Sequence, residues 1–250
     1  MSKIKFIAAL SLVFLAVFYF FQAAEKEVSM YWYATRSSAL LAYALLYLSI
    51  FLGISIRIPW LNRLVGPVYS YSVHCWISLQ ALVFVMAHSV FILADNFMNF
   101  KLVNIIIPFY PIAENQMTGI SLEFLALGIL SFYLMLVLVV TSYLKKVIGH
   151  TLWRGLHFLN IGLFAIVIIH GLYMGTDLKG GPMRYIFIAA NAFLVFLFLI
   201  NIFIRIWKAL SGKETNSTAN EINYQSNENL RQSSSPVVKE RDPKIFRGRI

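Results

Sequence analysis

Runs of about 20 apolar residues without one Lys, Arg, Asp or Glu leave a chain few folds to choose from. Such a helix has no polar face to turn to water, whereas that length matches the hydrocarbon core of a bilayer. This sequence has six such windows: residues 6–24, 37–56, 64–94, 124–144, 155–176 and 185–204. Composition agrees, with 59% hydrophobic and 13% charged residues, against about 25% charged in soluble domains. The expected fold is therefore all-α, a polytopic six-helix transmembrane bundle.

Proline placement supports the same division. Pro59, Pro67, Pro108, Pro111 and Pro182 fall between windows or at their edges, and Pro236 and Pro243 fall in the tail. Helix interiors exclude proline because it removes a backbone donor. Residues 102–113 are apolar but short and hold two of these prolines, which suits an interfacial or re-entrant piece of a loop. The first window follows "MSKIK" and ends in "QAA". It is long for the apolar core of a signal peptide, and Gln22 fits poorly at the outer small position of a cleavage site. We read residues 1–30 as a retained helix or signal anchor, with a cleaved signal as the alternative.

Charge sets the orientation. Lys3, Lys5, Arg57, Arg63, Lys145, Lys146, Arg154, Arg205 and Lys208 flank one set of helix ends; Lys26, Arg36, Lys101, Lys179 and Arg184 flank the other. Glu25, Glu27, Asp95, Glu114, Glu123 and Asp177 all fall on the second side. Basic loops stay in the cytoplasm, so both termini are expected there. The net charge of +10 lies largely in loops and tail, so membrane orientation explains it and a nucleic-acid partner is not expected. Residues 209–250 are polar and expected to be a disordered cytoplasmic tail. Their ending, "RDPKIFRGRI", suits anionic lipid, a protein partner or plain solvation. One cysteine, Cys75, excludes an internal disulfide and any CxxC site.

Five histidines occur. His150 lies in a loop, but His74 and His88 fall in the third window and His157 and His170 in the fifth. Ionisable groups at membrane depth are costly and point to function, although a single imidazole can serve only as a donor between helices. Both helices run outward from the cytoplasm, so His74 and His157 share the inner level and His88 and His170 the outer. Each helix separates its two histidines by about 20 Å. Paired imidazoles at two depths suit iron ligated on both faces of a haem. Helical phase tests this. Fourteen residues, His74 to His88, return to within about 40° of the starting face; thirteen, His157 to His170, land about 140° away. The fifth helix therefore needs local over- or under-winding, or haems approached from different azimuths.

"HCWISLQALVFVMAH" and "WRGLHFLNIGLFAIVIIHG" resemble the histidine helices of the ferric reductase-like transmembrane family, which includes NADPH oxidases, ferric reductases and the haem-binding subunit of periplasmic methionine sulfoxide reductase. "TRSSALLAYALL" is similar too. The resemblance spans most of residues 31–208. It implies two b-type haems, one ligated by His74 and His157 and one by His88 and His170. The oxidases and ferric reductases carry a cytoplasmic flavin and nicotinamide domain, whereas this sequence shows no Gly-rich dinucleotide fingerprint. The sulfoxide reductase subunit also lacks that domain, but its members need not keep all four histidines. The resemblance thus implies an oxidoreductase component with a separate flavoprotein or quinol donor, no FAD or NAD(P) site in this chain, and an outer acceptor: a ferric chelate, oxygen or a periplasmic protein.

Haem propionates want cations near the membrane surface. Arg154 suits the inner haem, with Arg63 and Lys146 further off, and Arg36 suits the outer; each also fits as an interfacial anchor. Trp76, Phe84, Phe91, Phe158 and Phe164 can line haem faces or pack ordinarily. Cys75, Met86 and Met174 are soft-metal ligand types, and Cys75 reads as packing. Ser78, Ser89 and Asn160 are candidate partners for the second ring nitrogens. No general base, nucleophile or substrate pocket is recognisable. The competing classes are a transporter or channel with a histidine proton relay, a di-iron desaturase, which needs dense histidine clusters not found here, and a purely structural subunit.

Overall fold

A computed structural model describes residues 3–24, 29–65, 67–95, 100–112 and 121–233. Every long element in it is a helix. Five are long and apolar enough to cross a bilayer: Met30–Ser55, Tyr71–Ala94, Leu122–Tyr143, His150–Met174 and Gly181–Ser211. The first window forms α1 (Lys3–Ala24), within which Ile7–Phe20 is a shorter apolar helix.

Helix α2 (Met30–Ser55) starts seven residues before its apolar window, because the Ser29 hydroxyl caps it by accepting from the Tyr31 N–H at 3.2 Å. A short helix, α3 (Pro59–Val65), leads into α4 (Pro67–Ala94). Both begin at proline, whose missing N–H costs nothing in a first turn. The apolar loop expected to be interfacial holds α5 (Leu102–Ile106), capped where Asn104 Oδ1 accepts the Lys101 N–H at 3.0 Å. Phe100 and Ile112 on either side pack against Leu125 and Ile129 of α6 (Leu122–Tyr143).

After α6 comes one turn, α7 (Lys145–Ile148), and then Gly149 at φ 83°, a backbone state that favours glycine. The fifth window divides into α8 (His150–His157) and α9 (Asn160–Met174). A 3-10 turn at Thr176–Leu178 leads to α10 (Gly181–Ser233). The described chain divides after Phe198, and α10 from Leu199 onward is a unit of its own. Residues 211–233, expected to lack order, are helical. No Gly or Pro interrupts residues 213–233, and extending an existing helix needs no new nucleus. Residues 234–250, with the basic ending, lie outside the described residues, as do Glu25, Lys26, Glu27 and Glu114.

The core of the first unit lies among α2, α4 and α6, where Leu41, Leu45, Ile77, Ala81, Met135 and Leu138 are buried. Helix α4 packs along α2, and α9 packs along α6. Among the described residues α4, which carries His74 and His88, makes no extended backbone contact with α8, which ends at His157, or with α9, which carries His170. Helix α9 accordingly buries only Leu163.

Candidate functional site

Three of the four intramembrane imidazoles are held in one way. Nδ1 of His74 lies 2.8 Å from the Ser49 carbonyl oxygen, that of His88 3.0 Å from Thr35, and that of His170 2.8 Å from Phe124. A carbonyl can only accept, so in each ring Nδ1 carries the proton. In the neutral ring Nε2 is then unprotonated and keeps its lone pair. This is the tautomer a metal-ligating histidine needs, held by the kind of partner such ligands have.

The supporting carbonyls come from α2 for both α4 histidines and from α6 for His170. Each supporting helix is therefore the one its histidine helix packs along. The Ser49 hydroxyl adds to the His74 seat, lying 3.1 Å from Nδ1 and 2.7 Å from the Ser78 hydroxyl. Ser78 in turn donates to the His74 carbonyl at 2.7 Å. With Nδ1–H donating, every group in this ring has a consistent role.

His157 differs. Its Nδ1 and Nε2 both lie 3.3 Å from the Asn160 amide nitrogen, one turn ahead. Its ring stacks on Trp153 at 5.1 Å between centres and 26° between planes. Trp153 carries the Lys145 ammonium 3.9 Å from its ring centre and donates from Nε1 to the Ser142 hydroxyl at 3.3 Å.

The rings interact in twos, His74 with His157 and His88 with His170. The His74 and His157 centroids are 6.2 Å apart, with planes 77° to each other. A metal–imidazole nitrogen bond is about 2 Å, so two rings facing one ion from opposite sides hold their centres about 6 Å apart. The inner centre-to-centre spacing is of that size. His88 and His170 lie within electrostatic reach of each other at the outer level. Among the described residues no three His, Cys, Asp or Glu side chains converge, so the arrangement is one of pairs, not a cage for a bare ion.

The phase problem of the fifth window is met in part by a local change of winding. Between α8 and α9 the Phe158 N–H reaches the Gly155 carbonyl, Leu159 reaches Leu156, and Ile161 reaches Phe158, all three residues back. Such turns advance about 120° per residue, so each recovers about 20° of the discrepancy. This is over-winding between the two histidines, and the break at Phe158–Leu159 frees the two helix axes from one line.

The remaining candidates are distributed as follows. Arg154 is exposed on α8, and Arg57 and Lys145 lie within electrostatic reach of His157. Arg63 and Lys146 are also exposed. Arg36, next to the Thr35 that supports His88, is bound through Nε at 3.1 Å and through Nη2 by Asp177, in the turn after α9. Phe84 and Phe91 stack with Phe14 of α1 at 5.8 and 6.5 Å, which places them in helix packing rather than against the imidazoles. Phe158 is half exposed, as is Met86, and Phe164 and Trp76 are partly buried. Met174 packs near Leu125 and Ile129, and Cys75 adjoins Tyr71. Ser89 donates to Val85 in its own helix; Asn160 does reach its imidazole, and Ser78 acts through Ser49.

Sequence reasoning missed the three carbonyls, because a carbonyl has no letter of its own. It also missed Gly53 and Gly128. A Cβ on Gly128 would stand 2.5 Å from Cε1 and 2.7 Å from Nδ1 of His170; one on Gly53 would stand 3.7 and 3.8 Å from the same atoms of His74. An isolated glycine inside an apolar helix was the available signal. No family model matches this chain, and no curated protein or solved structure does either.

Proposed function

We propose that this protein is a transmembrane electron conduit with two b-type haems, one held by His74 and His157 and the other by His88 and His170. The observation that carries this reading is the locked tautomer of three imidazoles, each donating from Nδ1 to a helix carbonyl and keeping the lone pair of Nε2. The 6.2 Å separation of the inner pair supports it independently.

Haem iron, when bound, accepts and passes on one electron at a time, with its potential set by axial ligands and burial. The residues of this chain do the rest. The carbonyls of Ser49, Thr35 and Phe124 fix ring orientation and, by drawing on Nδ1–H, make Nε2 more basic. Arg154, Arg57 and Lys145 are the cations placed for the inner propionates, and the Arg36–Asp177 pair stands at the outer level. Apolar helices exclude water from the path between levels.

The chain works in this reading as a ferric reductase-like component of the plasma membrane. It makes six crossings, α1 included, with both termini cytoplasmic. Electrons enter at the inner level from a separate flavoprotein or a quinol and leave from the outer level to a ferric chelate, oxygen or a periplasmic protein. A proton relay fits the same residues less well. A relay through the ring loads a proton at one nitrogen and releases one from the other, and a carbonyl facing Nδ1 cannot take that proton up.

The test is haem content in the purified protein and its variants. Wild type is expected to bind two haems per chain, and His157→Ala and His170→Ala one each. Two haems retained in either variant would refute the ligand assignment. In the same membranes, an impermeant thiol reagent should label a cysteine added at either terminus of a Cys75→Ser chain only from the cytoplasmic face; labelling from outside would overturn the topology.

A further inference from the structure

We infer that Gly128 is a positioning residue for His170, and that Gly53 has the same role in milder form for His74. Neither acts through any group of its own. Each works by leaving a helix carbonyl uncovered.

In an α-helix the carbonyl of residue i accepts from the N–H of residue i+4 and keeps a second lone pair. Side chains lean toward the helix N-terminus, so residue i+4 stands over that lone pair; serine or threonine there can donate back to the same carbonyl. A small residue at position i+4 leaves that lone pair most open to a ring from a neighbouring helix. Gly53 follows Ser49 by four residues, and Gly128 follows Phe124 by four. Those are two of the three carbonyls that hold imidazoles. Ala39 stands at the corresponding place after Thr35. Carbonyl and small residue thus recur together at each of the three seats.

The two glycine seats differ in tightness. At position 128 an added Cβ would meet three atoms of the His170 ring, at 2.5, 2.7 and 3.1 Å, so the ring must move. At position 53 the distances of 3.7 and 3.8 Å are ordinary van der Waals contact. A methyl group at 128 therefore displaces the imidazole from the Phe124 carbonyl, while one at 53 does not displace His74. In haem-loaded protein, losing the Nδ1–H bond to the carbonyl makes His170 a weaker donor and raises the potential of the outer haem alone. This electronic consequence rests on the conduit reading; the packing consequence does not.

The experiment is a double-mutant cycle on the full-length chain in detergent, read as thermal midpoint. Gly128→Ala is expected to lower the midpoint of wild type and to be neutral or slightly stabilising in a His170→Ala background, where no ring opposes the methyl. Gly53→Ala is expected to leave the midpoint at or above that of wild type. In haem-loaded protein Gly128→Ala should shift the potential of one haem upward and leave the other unchanged. An equal loss from Gly128→Ala with and without His170 would overturn the inference, as would a Gly53→Ala loss as large as that of Gly128→Ala. If Gly128→Ala protein does not accumulate, its recovery in the His170→Ala background supports the inference and continued failure there overturns it. The cycle needs no bound haem, so wild-type protein without haem would sink the conduit reading while leaving the seat intact.

Discussion

An imidazole in a bilayer must find a partner for its N–H, because an unmet donor in hydrocarbon costs several kcal/mol. In this protein the partner is mostly backbone, and its choice fixes which nitrogen remains for chemistry. The pairing of His74 with His157 and of His88 with His170 was expected from residue type and spacing, and those imidazoles do interact in twos. Their seats were not, since Ser49, Thr35 and Phe124 contribute main-chain oxygens that any residue could supply. Arg36 was legible as a cation near a helix end, yet its partner was hidden because Asp177 lies 141 residues away in the chain. Both side chains of that pair are largely buried, at 12% and 16% exposure. Removing one partner of a buried pair leaves an uncompensated charge at a cost of about 3 kcal/mol, whereas replacing both with apolar groups can be neutral. Asp177→Asn should therefore lower the unfolding midpoint markedly, and Arg36→Met combined with Asp177→Leu should recover most of the loss. A neutral Asp177→Asn would mean that the pair behaves as a solvated surface contact.

At the scale of elements, apolar windows located the five long helices because few alternatives exist for uncharged runs of that length. Their ends were less legible, since ends depend on caps such as Ser29 rather than on hydropathy. The fifth window carried its own warning: thirteen residues do not bring two histidines to one face of a regular helix. The break at Phe158–Leu159 is the structural response, and nothing in the composition of "HFLNIG" marks it. If that break sets the phase between His157 and His170, its length is not free. One alanine inserted after Leu159 turns α9 by about 100° relative to α8 and advances it by about 1.5 Å. The expected result is a protein that loses the outer haem and keeps the inner one. Retention of both would mean that the turn between the levels adapts freely. The helical course of residues 211–233 shows the opposite limit, where a polar composition that cannot build a core still continues a helix begun by its apolar neighbour.

Across the whole molecule, two helix pairs account for the arrangement. Helix α2 backs α4, α6 backs α9, and α4 packs on α6 in one core, while the imidazoles meet where α4 makes no extended contact with α8 or α9. Most of the first unit is the scaffold that sets the spacing of the histidine side chains within an apolar medium. The central claim is that this spacing holds iron at two depths. A spectroelectrochemical titration of the purified, haem-reconstituted protein tests it most directly. The account predicts two low-spin b-type components, each titrating as a single electron, with bis-imidazole spectra and a stoichiometry of two haems per chain. A protein that takes up no haem, or binds one with an open high-spin iron, would contradict it.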